Sequence, residues 1–486
     1  MPKKWRKNLI VNRLKNTLKI IMNKYEVVVI GGGYAGLSCA LELSKNDVKS
    51  ILIEKEKELG GLSRTFSIGD SIFDIGPHIY FNKDKEVVKF WKNLVGDKLQ
   101  TRKRSNSIFY NSKYIKSPLQ VSNTLKQLGI FTTVKIFYSF FMSKIKNRNK
   151  APKTSKDWVV FNFGKELYER FFKVYNEKIW GLPCEEVTSN WAGQRIKSSL
   201  SKMIYKSLTR DNDFIIKSFD YPEKGSQTII NAIEKEIILH KKCEILKADK
   251  IVSIELNKKQ KEYLVKTESG KQILSKTIIS SIPIETTLKF LNNKNTFINS
   301  LLDKLVYRNL VLCLLNIEST IPISFKNQWI DIHDPNVKAL RATNYANYDC
   351  KMNSSQYVPV SLEYNCFNKE EIWNASDEEI YKIAINDLIK LKVISKEIKV
   401  SYKIVKLEKA YPVYFKGYEE IIKILKQEVS KFPNLEVIGR LGMYKWNNMH
   451  HSVKTGILVA KNCIEGTNHN LWDVKGMVSI GKEYND

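Results

Sequence analysis

Apolar residues run unbroken through Val27, Val28, Val29 and Ile30 and stop at three glycines. A short continuous apolar run bounded by turn residues reads as a strand covered on both faces, as in parallel sheets. From residue 34 the period changes, with Leu37, Ala40, Leu41 and Ser44 at helical spacing. The next run, KSILIE over 49–54, is strand-like again. The pattern predicts a strand over 25–30, a helix over 34–45 and a strand over 49–54. Farther along, LVYRNLVLCLLNI (305–317) reads as a strand, LEVIGR (435–440) as another and MHHSVKTGILVAKNC (449–463) as a helix. The stretch IFTTVKIFYSFFM (130–142) reads first as a buried core helix and second as an interfacial one.

The turn after the first strand is Gly31-x-Gly33-x-x-Gly36. In such a turn the first glycine permits the tight bend and the second lets the backbone approach a pyrophosphate. The third lets helix and strand pack closely. Tyr34 and Ala35 then open the helix, whose positive N-terminus would carry the phosphates. Glu54 ends the second strand, where an acid accepts hydrogen bonds from a ribose. The pattern predicts a dinucleotide, and at this point NAD and FAD both fit.

Charge adds a second constraint. Lys and Arg total 80 against 51 Asp and Glu, a net charge of +29. Such a surplus attracts anions, whether phosphorylated substrates or anionic surfaces. Most of the lysines alternate with apolar residues, which reads as a solvated surface, and no nucleic-acid motif is present. Residues 1–24 hold eight Lys and Arg and no acid, with Trp5, Ile10, Leu14, Leu18 and Ile21 at helical spacing. They lack the continuous apolar core of a secretory signal. A basic amphipathic helix on a membrane surface, a disordered extension, and a start at Met22 all remain open. Seven scattered cysteines without a CxxC pair argue against disulfides and zinc and for a reducing compartment. The six histidines form no Ser/His/Asp triad, and Asp331-Ile332-His333-Asp334 has no partner at metal spacing, so no metal is expected. His450 and His451 read as capping or exposed residues. The expectation is a cytoplasmic protein, with residues 1–24 the candidate for contact with the inner membrane face. Monomer and homodimer are both open.

The segment Glu58-Leu-Gly60-Gly61-Leu-Ser-Arg64-Thr resembles the second glycine motif of the flavin amine oxidase and protoporphyrinogen oxidase superfamily. That resemblance selects FAD over NAD. It implies backbone contact at Gly60 and Gly61, a cation at Arg64, and a C-terminal strand-turn-helix closing over the flavin. It also gives ILSKTIISSIP (273–283) as a strand reaching the flavin region. Within the superfamily, FDIGPHIYFNKDKEVVKFW (73–91), VYNEKIWGLPCEEVTSNWAGQRIK (174–197), LVYRNL (305–310), AYPV (410–413) and GRLGMYKWNNM (439–449) are similar to UDP-galactopyranose mutases. That similarity implies Trp180 stacking on a base and Arg195 and Arg308 clamping a diphosphate. Arg440, Asn448 and Met449 would lie near flavin and phosphate, His78 beside the flavin, and Tyr444 and Trp446 against the substrate. The implied chemistry moves no net electrons: reduced flavin attacks the anomeric carbon, the nucleotide leaves, and the sugar recloses in the other ring size. Trp446 stands where the mutase motif has a tyrosine, and Asn448 where it has an aspartate.

The expected fold is α/β. A discontinuous Rossmann-type FAD-binding domain covers 25–110, 224–290 and 405–486. A mixed-sheet and helical substrate domain covers 111–223 and 291–404. The expected function is an FAD-dependent, mutase-like enzyme acting on a nucleotide sugar or another phosphorylated sugar, with a place in surface-polysaccharide synthesis. The alternative is an FAD-dependent oxidase or dehydrogenase taking a hydride from an amine, polyene or tetrapyrrole-like substrate.

Overall fold

The computed structural model describes residues 23–80, 84–117, 129–147, 151–195, 200–201, 217–291 and 294–474. The readings made for residues 1–22 lie outside them. The run of valines forms β1 (Asn23–Ile30), followed by α1 (Tyr34–Lys45) and β2 (Ser50–Ile53). β1 lies between β2 and β3 (Gln272–Ser280), parallel to both. Val28 and Val29 are fully buried, one on each face of the strand, which is why the sequence shows no alternation. The register puts Ile30 beside both Ile53 and Ser280, so the three strands end level at one edge. The strand Cys243–Leu246 extends the sheet beyond β2. β4 (Leu435–Val437) runs parallel to the last residues of β3. An antiparallel pair, Ile251–Asn257 and Glu262–Thr267, continues from the other end of β3. The three distant segments assigned to this domain by sequence thus share one sheet.

After β4, Gly439 takes a φ of +74° and the chain breaks into a single helical turn, so LEVIGR is a strand only as far as Val437. The final helix, α2 (Met449–Glu465), packs along α1. Gly456 makes this contact possible: a Cβ there would sit 2.1 Å from Ser38 Oγ and 2.3 Å from the Ala35 carbonyl. Ser38 Oγ, whose shortest acceptor is the Tyr34 carbonyl at 2.7 Å, also lies 3.2 Å from the Val453 carbonyl. Gly456→Leu should therefore destabilise the protein by about 3 kcal/mol, since neither backbone can retreat. Urea unfolding measures it, and an unchanged midpoint would mean the helices are not in contact.

The second sheet is mixed and seven-stranded, in the order Ser401–Pro412, Tyr307–Glu318, Tyr357–Cys366, Arg341–Asn344, Trp329–Ile332, Asn106–Tyr110 and Lys113–Ser117. Only Trp329–Ile332 with Asn106–Tyr110 is parallel. The long strand Tyr307–Glu318 is covered on both faces. Val311, Cys313 and Leu315 join a core with Ile380, Ala384 and Leu388 of the helix Asp377–Lys390, while Leu310, Leu312 and Leu314 join one with Phe73 and Tyr345. Two segments given to the first domain by chain position belong to this sheet: Asn106–Tyr110 and the first residues after 404, Val405–Pro412. Their backbone groups find partners in Trp329–Ile332 and Tyr307–Glu318, and pairing outranks sequence proximity. The helical part comprises Ile130–Lys146, Ser155–Phe163, Lys173–Trp180 and Ser189–Arg195. Ile130–Lys146 is a helix as expected, but it is not a core helix, because most of its apolar side chains face outward. The described residues contain no helix long and apolar enough to cross a membrane. Cys39, Cys184, Cys243, Cys313 and Cys366 are buried free thiols.

Candidate functional site

The glycines of the first turn divide by what limits them. A Cβ on Gly36 would lie 1.9 Å from the Gly31 carbonyl, and one on Gly31 would lie 2.4 Å from Ser281 Oγ. The protein's own packing requires both. At Gly33 an added Cβ meets nothing within 4 Å. Gly33 is also the N-cap of α1 and supplies no side-chain cap. Bare backbone therefore faces open space at a helix N-terminus, where unpaired N–H groups and the helix dipole favour an anion.

Neighbouring segments brace this turn. The buried Glu54 carboxylate accepts from Gly32 N at 2.6 Å and from Glu56 N at 2.9 Å, which fixes the turn and leaves each oxygen able to accept once more. The second glycine motif packs backbone to backbone against the first. Gly60 N donates to the Gly32 carbonyl at 2.7 Å, and a Cβ on Gly61 would lie 3.3 Å from Gly33 Cα. Gly60 holds a φ of +115°, which suits only glycine. Arg64 donates from Nε to the Gly61 carbonyl at 3.1 Å. Tyr34 reaches Tyr80, hydroxyl to hydroxyl, at 2.7 Å. Ala35 touches the 439–449 segment, since a Cβ on Gly439 would fall 2.8 Å from Ala35 Cβ.

Arg440 follows Gly439. Its guanidinium donates to the Asn447 carbonyl at 2.8 Å and the Ala410 carbonyl at 3.4 Å, and it lies over the rings of Tyr411 and Trp446. No carboxylate pairs with it among the described residues. Burial pulls its pKa below the usual arginine range, with only the tyrosines Tyr411 and Tyr414 opposing. The next residues start α2. Asn447 is buried, and neither atom of its side-chain amide has a partner among the described residues. Asn448 N donates to His451 Nδ1 at 3.0 Å, and Met449 opens the helix. His450 and His451 are both buried, not exposed; only the capping reading holds, and for His451.

An aromatic cluster joins Arg440 to the helical part. Trp446 stacks on Tyr411 at 4.7 Å and meets Trp180 at 5.0 Å, and Trp180 stacks on Tyr414 at 5.6 Å and meets Trp191 edge-on. Trp180 is fully buried with no exposed face, so here it is the centre of the cluster. Trp191 lies on the helix that ends at Arg195. That places Arg195 beside the cluster along the chain; its side chain lies outside the described residues. Arg308 is also adjacent, since a Cβ on Gly181 would come within 2.0 Å of its Nη1. Arg308 is buried over Phe367, paired with Glu370 at 2.5 Å and bonded to the Asn365 carbonyl at 2.6 Å. Its charge is already met inside the protein. The Tyr444 hydroxyl, on a residue with a φ of +49°, lies 2.6 Å from the Val306 carbonyl and 2.9 Å from the Val413 carbonyl and accepts from Val306 N at 3.2 Å, so it staples strands and offers no hydroxyl to a ligand. His78 lies 3.1 Å from Ser226 Oγ and 3.5 Å from the fully buried Asp74.

The sequence pattern did not single out Tyr411, Tyr414 or Asn447, nor the network beyond them. Arg341 pairs with Asp331 at 3.1 Å and Glu363 at 3.2 Å and reaches the Tyr175 hydroxyl at 3.2 Å. Burial pushes Glu363 up, with Arg341 opposing. Burial would raise Asp331 too, but the Arg341 charge holds it below the usual range. His333 stacks on Tyr175 at 4.3 Å. Among the described residues no cluster of His, Cys, Asp or Glu could hold a metal.

Burial lowers His333 and His450 to about 4. Unfolded, each titrates near the usual 6.5, so between the two values the unfolded chain binds more protons. Their contribution is complete above pH 6.5 and is lost as pH falls toward 4, by up to about 3 kcal/mol each. Unfolding free energy should decline from pH 6.5 to 5 and decline less steeply in His333→Gln. Equal slopes would contradict the burial of His333.

The two glycine turns, stacked on an open helix N-terminus at the level edge of a parallel sheet, decide the class. The first sheet and its helices form a Rossmann-like domain. A family model described as NAD(P)-binding Rossmann-like domain matches residues 29–94. The dTDP-fucopyranose mutase of Escherichia coli is 24% identical over 253 residues, covering 48% of this chain and 61% of that protein. The UDP-galactopyranose mutase of Mycoplasma pneumoniae is 25% identical over 199 residues, 37% of this chain and 46% of that one. The matched regions thus span about half the length of these relatives. Among solved structures, a reduced UDP-galactopyranose mutase superposes with a TM-score of 0.80 at 18% identity, over 91% of this chain and 94% of the other. A putrescine oxidase shares the fold more distantly, with a TM-score of 0.63 at 12% identity.

Proposed function

We propose that this protein is an FAD-dependent, mutase-like enzyme acting on a nucleotide-diphosphate sugar. The observation that carries the reading is Arg440, a partly buried guanidinium with no carboxylate partner among the described residues, lying against the stacked pair Tyr411 and Trp446. An enclosed cation without a counter-charge is costly, and an anionic ligand supplies what is missing. The relatives named above as nucleotide-sugar mutases support this choice of anion.

The residues present fit a flavin dinucleotide. Gly33 leaves a side-chain-free approach, α1 opens without a side-chain cap, and the Asn447 amide at the start of α2 has no partner among the described residues. Gly31–Gly36 and Gly60–Gly61 would hold the pyrophosphate, Glu54 the ribose, and Arg64, Asn448 and Met449 would border the cofactor. Bound there, a reduced flavin would supply a nucleophile for an anomeric carbon. The protein's own work is to orient the sugar and to stabilise the departing diphosphate. Arg440 does this as a fixed fork of donors whose own carbonyl bonds hold it in place. Arg195, from the helix carrying Trp191, is the second cation. Arg308, paired with Glu370, holds the Trp180–Gly181 turn. His78 would border the flavin, oriented by Ser226. Trp446 closes the aromatic wall, and Trp180 supports it from behind.

Tryptophan fluorescence tests the reading, because Trp180, Trp191 and Trp446 form the wall. UDP or dTDP should quench it with saturable, salt-sensitive binding, and uridine should bind at least about tenfold more weakly. Equal response to UDP and uridine, or none to either diphosphate, would rule out diphosphate recognition.

A further inference from the structure

The helix Ile130–Lys146 carries a feature the flavin site does not use. Eight of the thirteen large apolar side chains exposed by the described residues belong to it. Phe131, Val134, Tyr138, Phe141 and Ile145 form one stripe, with Phe131 84% and Tyr138 67% exposed. The opposite face is anchored: Ile136 and Ser143 are buried, Phe140 abuts Gly164, and Ser139 Oγ accepts from Glu166 N at 3.0 Å. The orientation is therefore set by packing. Contiguous apolar patches of this kind mark an interaction surface.

Charge selects the occupant. From Lys98 to Lys156 the chain has fourteen Lys and Arg and no Asp or Glu. Lys135, Lys144 and Lys146 of the helix pair with no carboxylate among the described residues. A second copy docked face to face would bring these lysines against their own kind, on a chain of net charge +29. Aromatic and aliphatic residues flanked by lysine, on a helix too short and too charged to span, fit the headgroup layer of an anionic bilayer. We propose that this face docks the protein on an anionic membrane surface, with the stripe among the headgroups and the lysines on lipid phosphates. The inference does not depend on the reading of the flavin site.

Cosedimentation of the full chain with vesicles tests it, using phosphatidylcholine alone and phosphatidylcholine mixed with phosphatidylglycerol. The protein should pellet with the mixed vesicles only. The triple variant Phe131→Ser, Tyr138→Ser, Phe141→Ser should lose about tenfold or more of that binding at an unchanged melting temperature, because all three side chains are exposed. Lys135→Glu with Lys146→Glu should lower it further and reduce its salt dependence. Failure to pellet, or triple-variant binding equal to the parent's, would overturn the proposal. So would a parent that binds no vesicles and forms a dimer which the triple variant disperses.

Discussion

Gly33→Val should fold like the parent and be recovered without flavin. Nothing lies within 4 Å of the added Cβ, and Gly33 has a φ of −77°, open to any residue. The cost to the empty protein is that of a poorer N-cap, about 1 kcal/mol. The cost to the cofactor is larger, because the side chain occupies the approach to the uncapped end of α1. Excluding a pyrophosphate by about 3 kcal/mol lowers affinity roughly a hundredfold. Gly36→Val is the contrast. Its Cβ would meet the Gly31 carbonyl at 1.9 Å, so the fold itself should fail. Melting curves and the visible spectrum of both variants separate the effects. A yellow Gly33→Val protein would show that nothing binds against that turn.

Arg440→Met should weaken diphosphate binding sharply while sparing stability. The side chain leaves no orphaned acid behind, only two backbone carbonyls. The change in unfolding free energy should stay within about 1 kcal/mol. Affinity for UDP should fall by two to three orders of magnitude, about 3–4 kcal/mol. Arg440→Lys should recover only part, since an ammonium cannot present the planar fork. Arg308→Met should behave oppositely, losing about 2 kcal/mol of stability as the half-exposed Glu370 and the Asn365 carbonyl lose their charged donor. Unchanged UDP affinity in Arg440→Met would remove the main support for a phosphorylated substrate.

The sequence revealed most where local chemistry has no alternative. Gly31 and Gly36 are forced by contacts of their own segment with β3 and with each other, and the unbroken valines by burial on both sides. The helix of residues 34–45 appears with the expected bounds. Long-range assembly was less visible. Nothing in Asn106–Tyr110 announces its parallel partner at Trp329–Ile332. The apolar run after Gly129 looks like core, because periodicity reports a face and not what covers it. Within the site, motif similarity picked the segments, while the structure assigned tasks. Arg308 and Arg440 look alike in sequence, yet one has Glu370 and the other has no acid among the described residues. Tyr444 sits in the expected segment, but its hydroxyl is already bonded to backbone.

The most direct test is anaerobic turnover of UDP- and dTDP-hexoses by purified protein, before and after dithionite reduction. The account predicts ring-size interconversion by the reduced protein alone, with the flavin still reduced at the end. Inactivity of the reduced protein, together with bleaching of the oxidised flavin by an amine substrate, would contradict it.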